Sequence, residues 1–451
     1  MDYTQITSDE QASMLGAIGV KDIGDLFEVI PEEIRFTDTL DLPPAMSELE
    51  LQRALVEMAA DNHGPHDMVC FMGAGAYDHF YPVLIDQLIS RGEYLTAYTP
   101  YQAEASQGSL QAFFEFQTQM ARLTGLDIAN ASVYDGASAV AEAAAMSLGA
   151  SGKKRVLVAS TLHTHYRRVL DTYLADQPAE CVELDQIDGR ISPETVRENL
   201  DEDTACVVIQ SPNVWGLIED WEGCFTAAHE QPKTCAVAVF NPIACGLLKK
   251  PGECGADIAI GEGQPLGIPM SLGGPHLGLF AARQQFIRKM PGRLIGRTVD
   301  AEGRPAYCLT LQTREQHIKG AKATSNICTN QGLMAMRATM FLTALGQAGM
   351  RELAELCYHK AHYLAGRIAE LDGYSLKHDG PFFHEFAVQC PKPAGEIIAA
   401  CKARGILPGV DCSSPRIGAI GEPNELLIAV TEKRTRHELD AFVEVLGEVS
   451  A

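Results

Sequence analysis

Two apolar, strand-like runs near the middle of the chain end in side chains that suit a ligand pocket but lack the groups for covalent chemistry. The run CAVAVF is followed by Asn241, and the run DIAIGEG is followed by Gln264 and Pro265. Ligands of open α/β sheets bind beyond the carboxyl ends of the strands. A carboxamide cannot balance a positive charge as a carboxylate does, and proline carries no amine. The pattern predicts a ligand pocket at these strand ends, with neither a carboxylate nor an amine at positions 241, 264 and 265.

The surrounding elements predict an α/β fold class. Between residues 61 and 335, short β-branched runs alternate with helical segments, which indicates a mostly parallel sheet with helices on both faces. The runs are KRVLVAS, ECVEL, TACVVIQSP, TCAVAVFNP and ADIAIGEG. Residues 1–60 form a predicted helical arm, too thin to fold alone, that should pack on another chain. Residues 336–451 predict a long helix and a small C-terminal α+β domain.

Composition narrows the possible partners. The chain has 451 residues and a net charge of -23, without a basic cluster, so we expect neither nucleic acid nor an anionic membrane as a partner. No signal peptide and no run of about 20 apolar residues is present, which favours a cytoplasmic protein. The thirteen cysteines include no CxxC pair and are expected to be reduced. His163 and His165 lack neighbouring Cys or carboxylate ligands, so no metal site is expected there.

Three polar segments are candidates for binding. Residues 134–150 begin with a Gly-containing turn before an Ala-rich helix, which suits either an anion site or a close-packed helix start. Residues 97–123 begin with a loop dense in hydrogen-bonding groups, which suits either a site wall or an ordinary surface loop. Residues 312–332 are polar over about twenty positions, a length that is uncommon without a function.

The stretch from Cys235 to Leu279 resembles the centre of enzymes that use pyridoxal phosphate (PLP). In those folds one strand ends on an Asp that pairs with the pyridine nitrogen, and a second strand leads to the Schiff-base Lys. Asn241 and Gln264–Pro265 stand at these places. The resemblance therefore implies vestigial cofactor positions at Ser138, His163, Asn241, Gln264 and Pro265.

Blocks along nearly the whole chain resemble the glycine decarboxylase P-proteins of the glycine cleavage system, and within them the alpha subunit (subunit 1). The blocks are IGVKDIGDLFEVIPEEIR, FMGAGAYDHFYP, YTPYQAEASQG, YDGASA, SPNVWG, QTREQHI and ATSNICTNQG. The resemblance implies a PLP-dependent transferase fold of fold type I (aminotransferase-like). HIKGAKATSN departs from the more basic HIRREKATSN at Lys319, Gly320 and Ala321, and the roles of Gly320 and Ala321 are left open.

The same resemblance implies a function that needs a second chain. In this family, glycine is decarboxylated with PLP, and its aminomethyl group passes to the lipoyl arm of H-protein, which works with T- and L-proteins. The beta subunit (subunit 2) is implied to hold PLP through the Schiff-base Lys, in a heterotetramer with this chain, which would have no catalytic residue of its own. The implied substrate-pocket wall is Tyr98, Tyr101, Gln102 and Glu104. The residues implied to reach the partner's cofactor phosphate are Lys322, Thr324, Ser325 and Asn326.

Two other readings stay open at this point. The chain could be a self-sufficient PLP lyase or aminotransferase that uses another lysine, such as Lys319 or Lys322. It could also be a non-catalytic scaffold that touches no substrate. Thr324 and Ser325 could likewise do no more than cap the helix that follows them.

Overall fold

The computed structural model describes residues 6–36 and 38–450, which form two compact units, one ending at Asn62 and the other beginning at His63. The predicted arm at 1–60 includes residues 1–5 and 37, which lie outside the described residues. The helices of the first unit are α1 (Ser8–Ile18) and α2 (Glu48–Ala60), with 3-10 turns at Ile23–Phe27 and Glu32–Ile34.

Both helices of the first unit begin with a reciprocal capping arrangement. Thr7 caps α1 and pairs with Glu10, while Ser47 caps α2 and pairs with Glu50. In each pair the hydroxyl accepts from the backbone of the glutamate, and the carboxylate accepts from the backbone of the cap. Neither helix has a buried side chain, so local hydrogen bonds rather than a core define their ends.

The second unit contains the remaining helices and all the strands of the described residues. Its helices are α3 (Val83–Ile89), α4 (Gly92–Leu95), α5 (Gln107–Thr124), α6 (Gly136–Ser151), α7 (Thr164–Leu174), α8 (Pro193–Asn199), α9 (Trp221–Ala228), α10 (Gln316–Lys319), α11 (Gly332–Ala369), α12 (Ala394–Lys402) and α13 (Arg436–Ser450). Its strands are β1 (Val69–Cys70), β2 (Ile128–Ala129), β3 (Arg155–Ala159), β4 (Glu180–Leu184), β5 (Thr204–Ser211), β6 (Cys235–Phe240), β7 (Ile258–Glu262), β8 (Gly278–Ala282), β9 (Leu294–Val299), β10 (Pro305–Thr310), β11 (Ser375–Leu376), β12 (Glu385–Gln389), β13 (Ile406–Leu407), β14 (Val410–Asp411) and β15 (Glu425–Ala429).

The central sheet has seven strands in the order β2-β8-β7-β6-β5-β3-β4. The five strands β7, β6, β5, β3 and β4 run parallel to one another, whereas β8 pairs antiparallel with both β7 and β2. Strands β5 and β6 are buried almost throughout, as expected where helices cover both faces of a parallel sheet. The five predicted runs form β3 to β7, so the predicted α/β class with a mostly parallel sheet is confirmed.

A second, smaller sheet is antiparallel, with the strand order β11-β12-β15-β14. This sheet together with α12 and α13 is called the C-terminal layer. Strand β1, which lies early in the chain, pairs in parallel with β13 through Val69 and Ile406. The backbone of Ala429 also donates to the carbonyl of Phe71. Residues just after the first unit therefore complete the C-terminal layer.

The long helix α11 is not one continuous cylinder. Gly346 has φ 63° and ψ -173°, which breaks the helical path between two helical segments. A residue with a Cβ rarely adopts positive φ, whereas glycine does so at little cost. The predicted long helix from Gly332 is therefore present with an internal break.

Within residues 6–36 and 38–450, no helix combines the length and apolarity needed to cross a membrane. All thirteen cysteines lie in the described part of the chain and carry free thiols. Nine of them are buried, where burial raises the pKa of thiols such as Cys206 and Cys401.

One buried carboxylate ties together the turns that follow three neighbouring strands. Glu219 accepts from the Thr161 hydroxyl at 2.8 Å, from the Asn213 amide at 2.7 Å and from the Ile191 backbone at 2.8 Å. Thr161 follows β3, Ile191 follows β4 and Asn213 follows β5. Glu219 thus fixes the carboxyl edge of the sheet on its β4 side.

The turn after β5 also contacts the small sheet very closely. Gly216 has φ +81°, and a Cβ at this position would lie 1.8 Å from the carbonyl oxygen of Glu385. Leu217 and Phe382 form a bridge beside it. The close approach requires glycine because both the backbone angle and the space exclude a side chain.

We expect Gly216→Ala to lower the free energy of unfolding by about 3 kcal/mol or more, because it adds a backbone clash to an unfavourable positive φ. Gly303→Ala is the matched control, since Gly303 has φ +78° but no atom within 4 Å of the added Cβ. The control should lose only about 1 kcal/mol. Urea unfolding midpoints measure the stability of both variants. Equal losses of stability would show that the close contact with Glu385 does not contribute to the effect.

Candidate functional site

A small polar cavity lies at the carboxyl ends of β5, β6 and β7. Its volume is about 40 Å³, enough for about three water molecules. The lining comes from the strand ends, from α7 and from the start of β12. The lining residues are Gly75, Tyr77, His163, Tyr166, Gln210, Pro212, Asn213, Val239, Phe240, Asn241, Pro242, Glu262, Pro265, Phe383, His384 and Glu385.

Asn241, just after β6, is used to close its own turn. Its Oδ1 accepts from the backbone N–H groups of Ile243 at 2.9 Å and Ala244 at 3.3 Å. Its Nδ2 lies 3.3 Å from Nε2 of His384. The amide therefore supports a 3-10 turn and offers no negative charge to a ligand cation.

Gln264 lies just beyond β7, and both the oxygen and the nitrogen of its side-chain amide form hydrogen bonds. Its Oε1 accepts from the Tyr77 backbone at 3.0 Å, and its Nε2 donates to the carbonyls of Tyr77 at 3.1 Å and Ile268 at 2.9 Å. The side chain is 3 % exposed. Gln264 thus joins the loop after β1 to the end of β7, while the adjacent Pro265 lines the cavity.

The N-terminus of α6, predicted as a possible anion site, is occupied by carboxylates of the chain itself. Glu262 accepts from the N–H of Gly136 at 2.9 Å. Asp135 caps the helix by accepting from the N–H of Ser138 at 2.7 Å. The Ser138 hydroxyl faces Tyr173 and is not part of the cavity lining.

His163 packs over the cavity but is held by backbone groups. Its Nε2 lies 2.8 Å from the carbonyl of Ala74, and its Nδ1 accepts from the N–H of His165 at 3.2 Å. The His163 and Tyr166 rings have centroids 4.9 Å apart. Burial lowers the pKa of His163 to about 4, so the imidazole is neutral at pH 7.

Two neighbouring residues of the cavity, Glu385 and His384, were not found by sequence reasoning. Glu385 accepts from the Ala74 backbone at 2.7 Å and from the Tyr77 hydroxyl at 2.9 Å, and burial raises its pKa to about 7. His384 beside it is 2 % exposed, its Nδ1 has no hydrogen-bond partner, and burial lowers its pKa to about 3. The signal was the pair of ionisable residues His384 and Glu385 inside the apolar run FFHEFAV, since such residues are seldom fully buried.

The cavity does not fit PLP, the cofactor that the resemblance implies. Asn241 supplies no carboxylate, Gln264 and Pro265 supply no amine, and Glu262 fills the helix end where a phosphate would bind. The cavity volume of about 40 Å³ also has room for only a few water molecules. The structure therefore gives no basis for a covalent step in this cavity.

The loop predicted as a substrate wall lies at the surface of this chain. Tyr98 and Tyr101 are 72 % and 77 % exposed, and Gln102 donates to Glu104 at 3.4 Å. Glu104 belongs to a 3-10 turn, Ala103–Ala105, directly before α5. None of these four residues lines the cavity described above.

The predicted phosphate loop is also largely exposed. Thr324, Asn326 and Lys322 face solvent, whereas the Ser325 hydroxyl accepts from the Ile327 backbone at 3.1 Å and bonds with the buried Glu142. The polar segment 312–332 is not structureless, because it contains α10 and two 3-10 turns. Neither Thr324 nor Ser325 is the N-cap of α11, which begins after Gln331.

The polar segments 97–123 and 312–332 are each attached to the short segment 290–293. The Arg293 side chain donates to the Thr99 hydroxyl at 3.2 Å, next to Tyr98. Arg314 donates to the carbonyls of Met290 and Gly292, the latter at 2.9 Å. Thr99 and Arg314 thus attach the two polar segments within four residues of each other, on a part of the fold separate from the cavity lining.

Comparison with known proteins places the fold and the site in context. The family model "Glycine cleavage system P-protein" matches residues 1–446. A "Probable glycine dehydrogenase (decarboxylating) subunit 1" from Thermomicrobium roseum is 49 % identical, over 100 % of both chains. A crystal structure of a glycine decarboxylase (P-protein) of the glycine cleavage system, in inhibitor-bound form, covers 100 % of both chains with 43 % identity and a TM-score of 0.90.

A more distant structure bears on the fold alone. Glutamate decarboxylase from Lactobacillus brevis is 12 % identical, with a TM-score of 0.67 over 94 % of this chain and 97 % of that chain. The predicted fold, that of PLP-dependent transferases of fold type I, is confirmed. The cavity lacks the reactive groups of PLP enzymes, the family model matches residues 1–446, and the relatives have the same length as this chain. Together these findings show that the chain belongs to the glycine cleavage system P-protein family.

Proposed function

We propose that this chain is subunit 1 of a two-chain glycine dehydrogenase (decarboxylating), an oxidoreductase, and that it completes an active site whose cofactor is held by subunit 2. The observation that carries the proposal is the state of its own cavity, where Asn241, Gln264 and Pro265 replace the reactive groups. The relatives named as subunit 1 match this chain end to end, and their printed names imply a second subunit.

PLP bound to the partner would supply the electron sink for loss of CO₂ from glycine. This chain's share is binding and orientation. Active sites of twofold-related enzymes form between chains, so exposed polar loops beside an interface are the parts that can complete a partner's site. Arg293 bonds to Thr99 in the first loop, and Thr324 and Ser325 of the second loop line a small pocket with Met290 and Gly292, which supports assigning both loops to that face.

In the proposed arrangement, the two loops have different roles. Tyr98, Tyr101, Gln102 and Glu104 form part of the wall around glycine, a substrate that offers no side chain for recognition. Lys322, Thr324, Ser325 and Asn326 approach the cofactor phosphate of the partner, where hydroxyl, amide and ammonium groups suit a dianion.

The remaining parts of the proposal concern assembly. The helical arm at 1–60 packs on the partner chain in the heterotetramer, because its helices carry exposed apolar residues such as Leu49 and Leu55. The product acceptor is the lipoyl arm of H-protein, with T- and L-proteins in the same system. Thirteen free thiols support a cytoplasmic location.

The alternative of a self-sufficient PLP enzyme is weaker. Lys319 and Lys322 do not line the cavity at the strand ends, and Lys319 lies in a separate surface pocket with Thr324 and Ser325. A pure scaffold remains the second candidate, because exposed loops can serve assembly alone. The kinetic variants below separate the two.

The central prediction is that the isolated chain releases no CO₂ from glycine, whereas the chain co-purified with subunit 2, PLP and lipoylated H-protein does. The reason is the absence of an amine at positions 264 and 265. The measurement is exchange of labelled bicarbonate into glycine. Exchange by the isolated chain, together with a borohydride-trapped lysine, would instead establish the self-sufficient enzyme.

For the substrate wall, Tyr98→Phe and Glu104→Gln should each lower kcat/KM of the reconstituted complex about tenfold or more, because each removes a polar contact in a crowded pocket. Steady-state kinetics and thermal unfolding are measured together. Glu202→Gln, an exposed carboxylate in a surface turn, is the matched control. Wild-type kinetics in both loop variants would favour the scaffold.

For the phosphate loop, Ser325→Ala and Asn326→Ala should weaken PLP retention by the complex severalfold with the heteromer intact, because each removes a hydrogen bond to a charged group. PLP titration with gel filtration measures both properties. Thr226→Ala removes an exposed hydroxyl on α9 and serves as the control. A PLP dissociation constant unchanged in both variants would leave this loop a structural role only.

A further inference from the structure

The carboxylate of Glu262 collects three backbone N–H groups at the end of β7. Oε2 accepts from Gly136 at 2.9 Å, while Oε1 accepts from Gln264 at 2.9 Å and from Leu277 at 3.0 Å. The ring of His276 lies 3.8 Å from Oε1, and the Glu262 side chain is 11 % exposed. These contacts come from α6, from the turn after β7 and from the residue before β8.

This is the arrangement of donors by which proteins bind anions. The first N–H groups of a helix lack partners within the helix, and the helix dipole favours negative charge at that end. Here Glu262 takes the N–H of Gly136, and Asp135 takes that of Ser138. The site is also tightly packed, since a Cβ on Gly136 would lie 2.4 Å from the Tyr166 hydroxyl.

A phosphate entering from the cavity would meet two obstacles. The N–H groups that a phosphate would need are already bound to the carboxyl oxygens of Glu262 and Asp135, and these oxygens lie where the phosphate oxygens would have to lie. Glu262 also lines the cavity, so it stands between the open space and the helix end. Glu262 stays attached to the chain, so it occupies the site without the entropy loss of binding.

We propose that Glu262 is an internal carboxylate that occupies the anion site of the former cofactor pocket and thereby excludes phosphate-bearing cofactors from this chain. The inference rests on the proposed function, because it explains why the cofactor is held by the other subunit. It assigns Glu262 a role in specificity, in addition to capping α6.

The test is inorganic phosphate binding to the isolated full-length chain, measured by isothermal titration calorimetry at pH 7.5. The wild type should not bind measurably, whereas Glu262→Ala should bind with a measurable dissociation constant, about tenfold or more below the highest value that the titration can detect. Glu262→Thr is the second variant, because a β-branched residue suits a strand end and its hydroxyl can donate to phosphate. Circular dichroism verifies that each variant is folded.

Two controls separate an opened anion site from general loss of charge. Glu262→Gln keeps a side chain at the helix end. Glu385→Ala removes a buried carboxyl from the same cavity, but the N–H of Gly136 stays bound to Glu262. Neither should gain phosphate binding. A gain by Glu385→Ala equal to that of Glu262→Ala would overturn the proposal, as would folded Glu262→Ala or Glu262→Thr without phosphate binding.

The wild type provides a test that does not depend on folding of a variant. Phosphate should not slow amide hydrogen exchange in residues 134–140, because the donors there are already occupied. Protection of these amides by phosphate would refute the role of Glu262. Activity of the reconstituted complex plays no part in these measurements, so failure here would leave the proposed function standing, and the two failures are distinguishable.

Discussion

The geometry of the cavity depends on the buried carboxylate of Glu219. By binding Thr161, Ile191 and Asn213 it connects the turns after β3, β4 and β5, whose loops would otherwise be independent. Asn213 lines the cavity, and the next residues bring Gly216 against Glu385 on the small sheet. Removal of one partner from a buried charge is strongly destabilising, so this network fixes the strand ends relative to β12.

The polar groups of the cavity mostly satisfy one another. Asn241 closes a turn, Gln264 joins two loops and Glu385 holds Ala74 and Tyr77. Unpaired buried polar groups are costly, so a pocket without a cofactor must provide partners from its own residues. His384 is the exception, since its Nδ1 is buried without a partner, and the small volume beside it is enough for water.

The sequence alone was sufficient to predict the central strands and the residues at their carboxyl ends. β3 to β7 are continuous apolar runs, and Asn241 and Gln264 follow two of them directly. Strand β2 and the hairpin β9–β10 were not predicted, because a two-residue strand and a half-exposed pair have weak periodicity. Glu262 was visible in the run DIAIGEG, but nothing local shows that it turns back onto α6. His384 and Glu385 reach the cavity only through long-range pairing of β12, which no local pattern encodes.

The contacts between the segment after β1 and the C-terminal layer have a consequence for synthesis of the chain. His79 contacts Glu432 across 353 positions of sequence, and Tyr77 contacts Glu385 across 308. A chain emerging from the ribosome can form β3 to β7 while the segment around Tyr77 still has no partner. The cavity closes only when the C-terminal layer has been made. A nascent chain that stops early can therefore build the central sheet but cannot close the cavity at its strand ends.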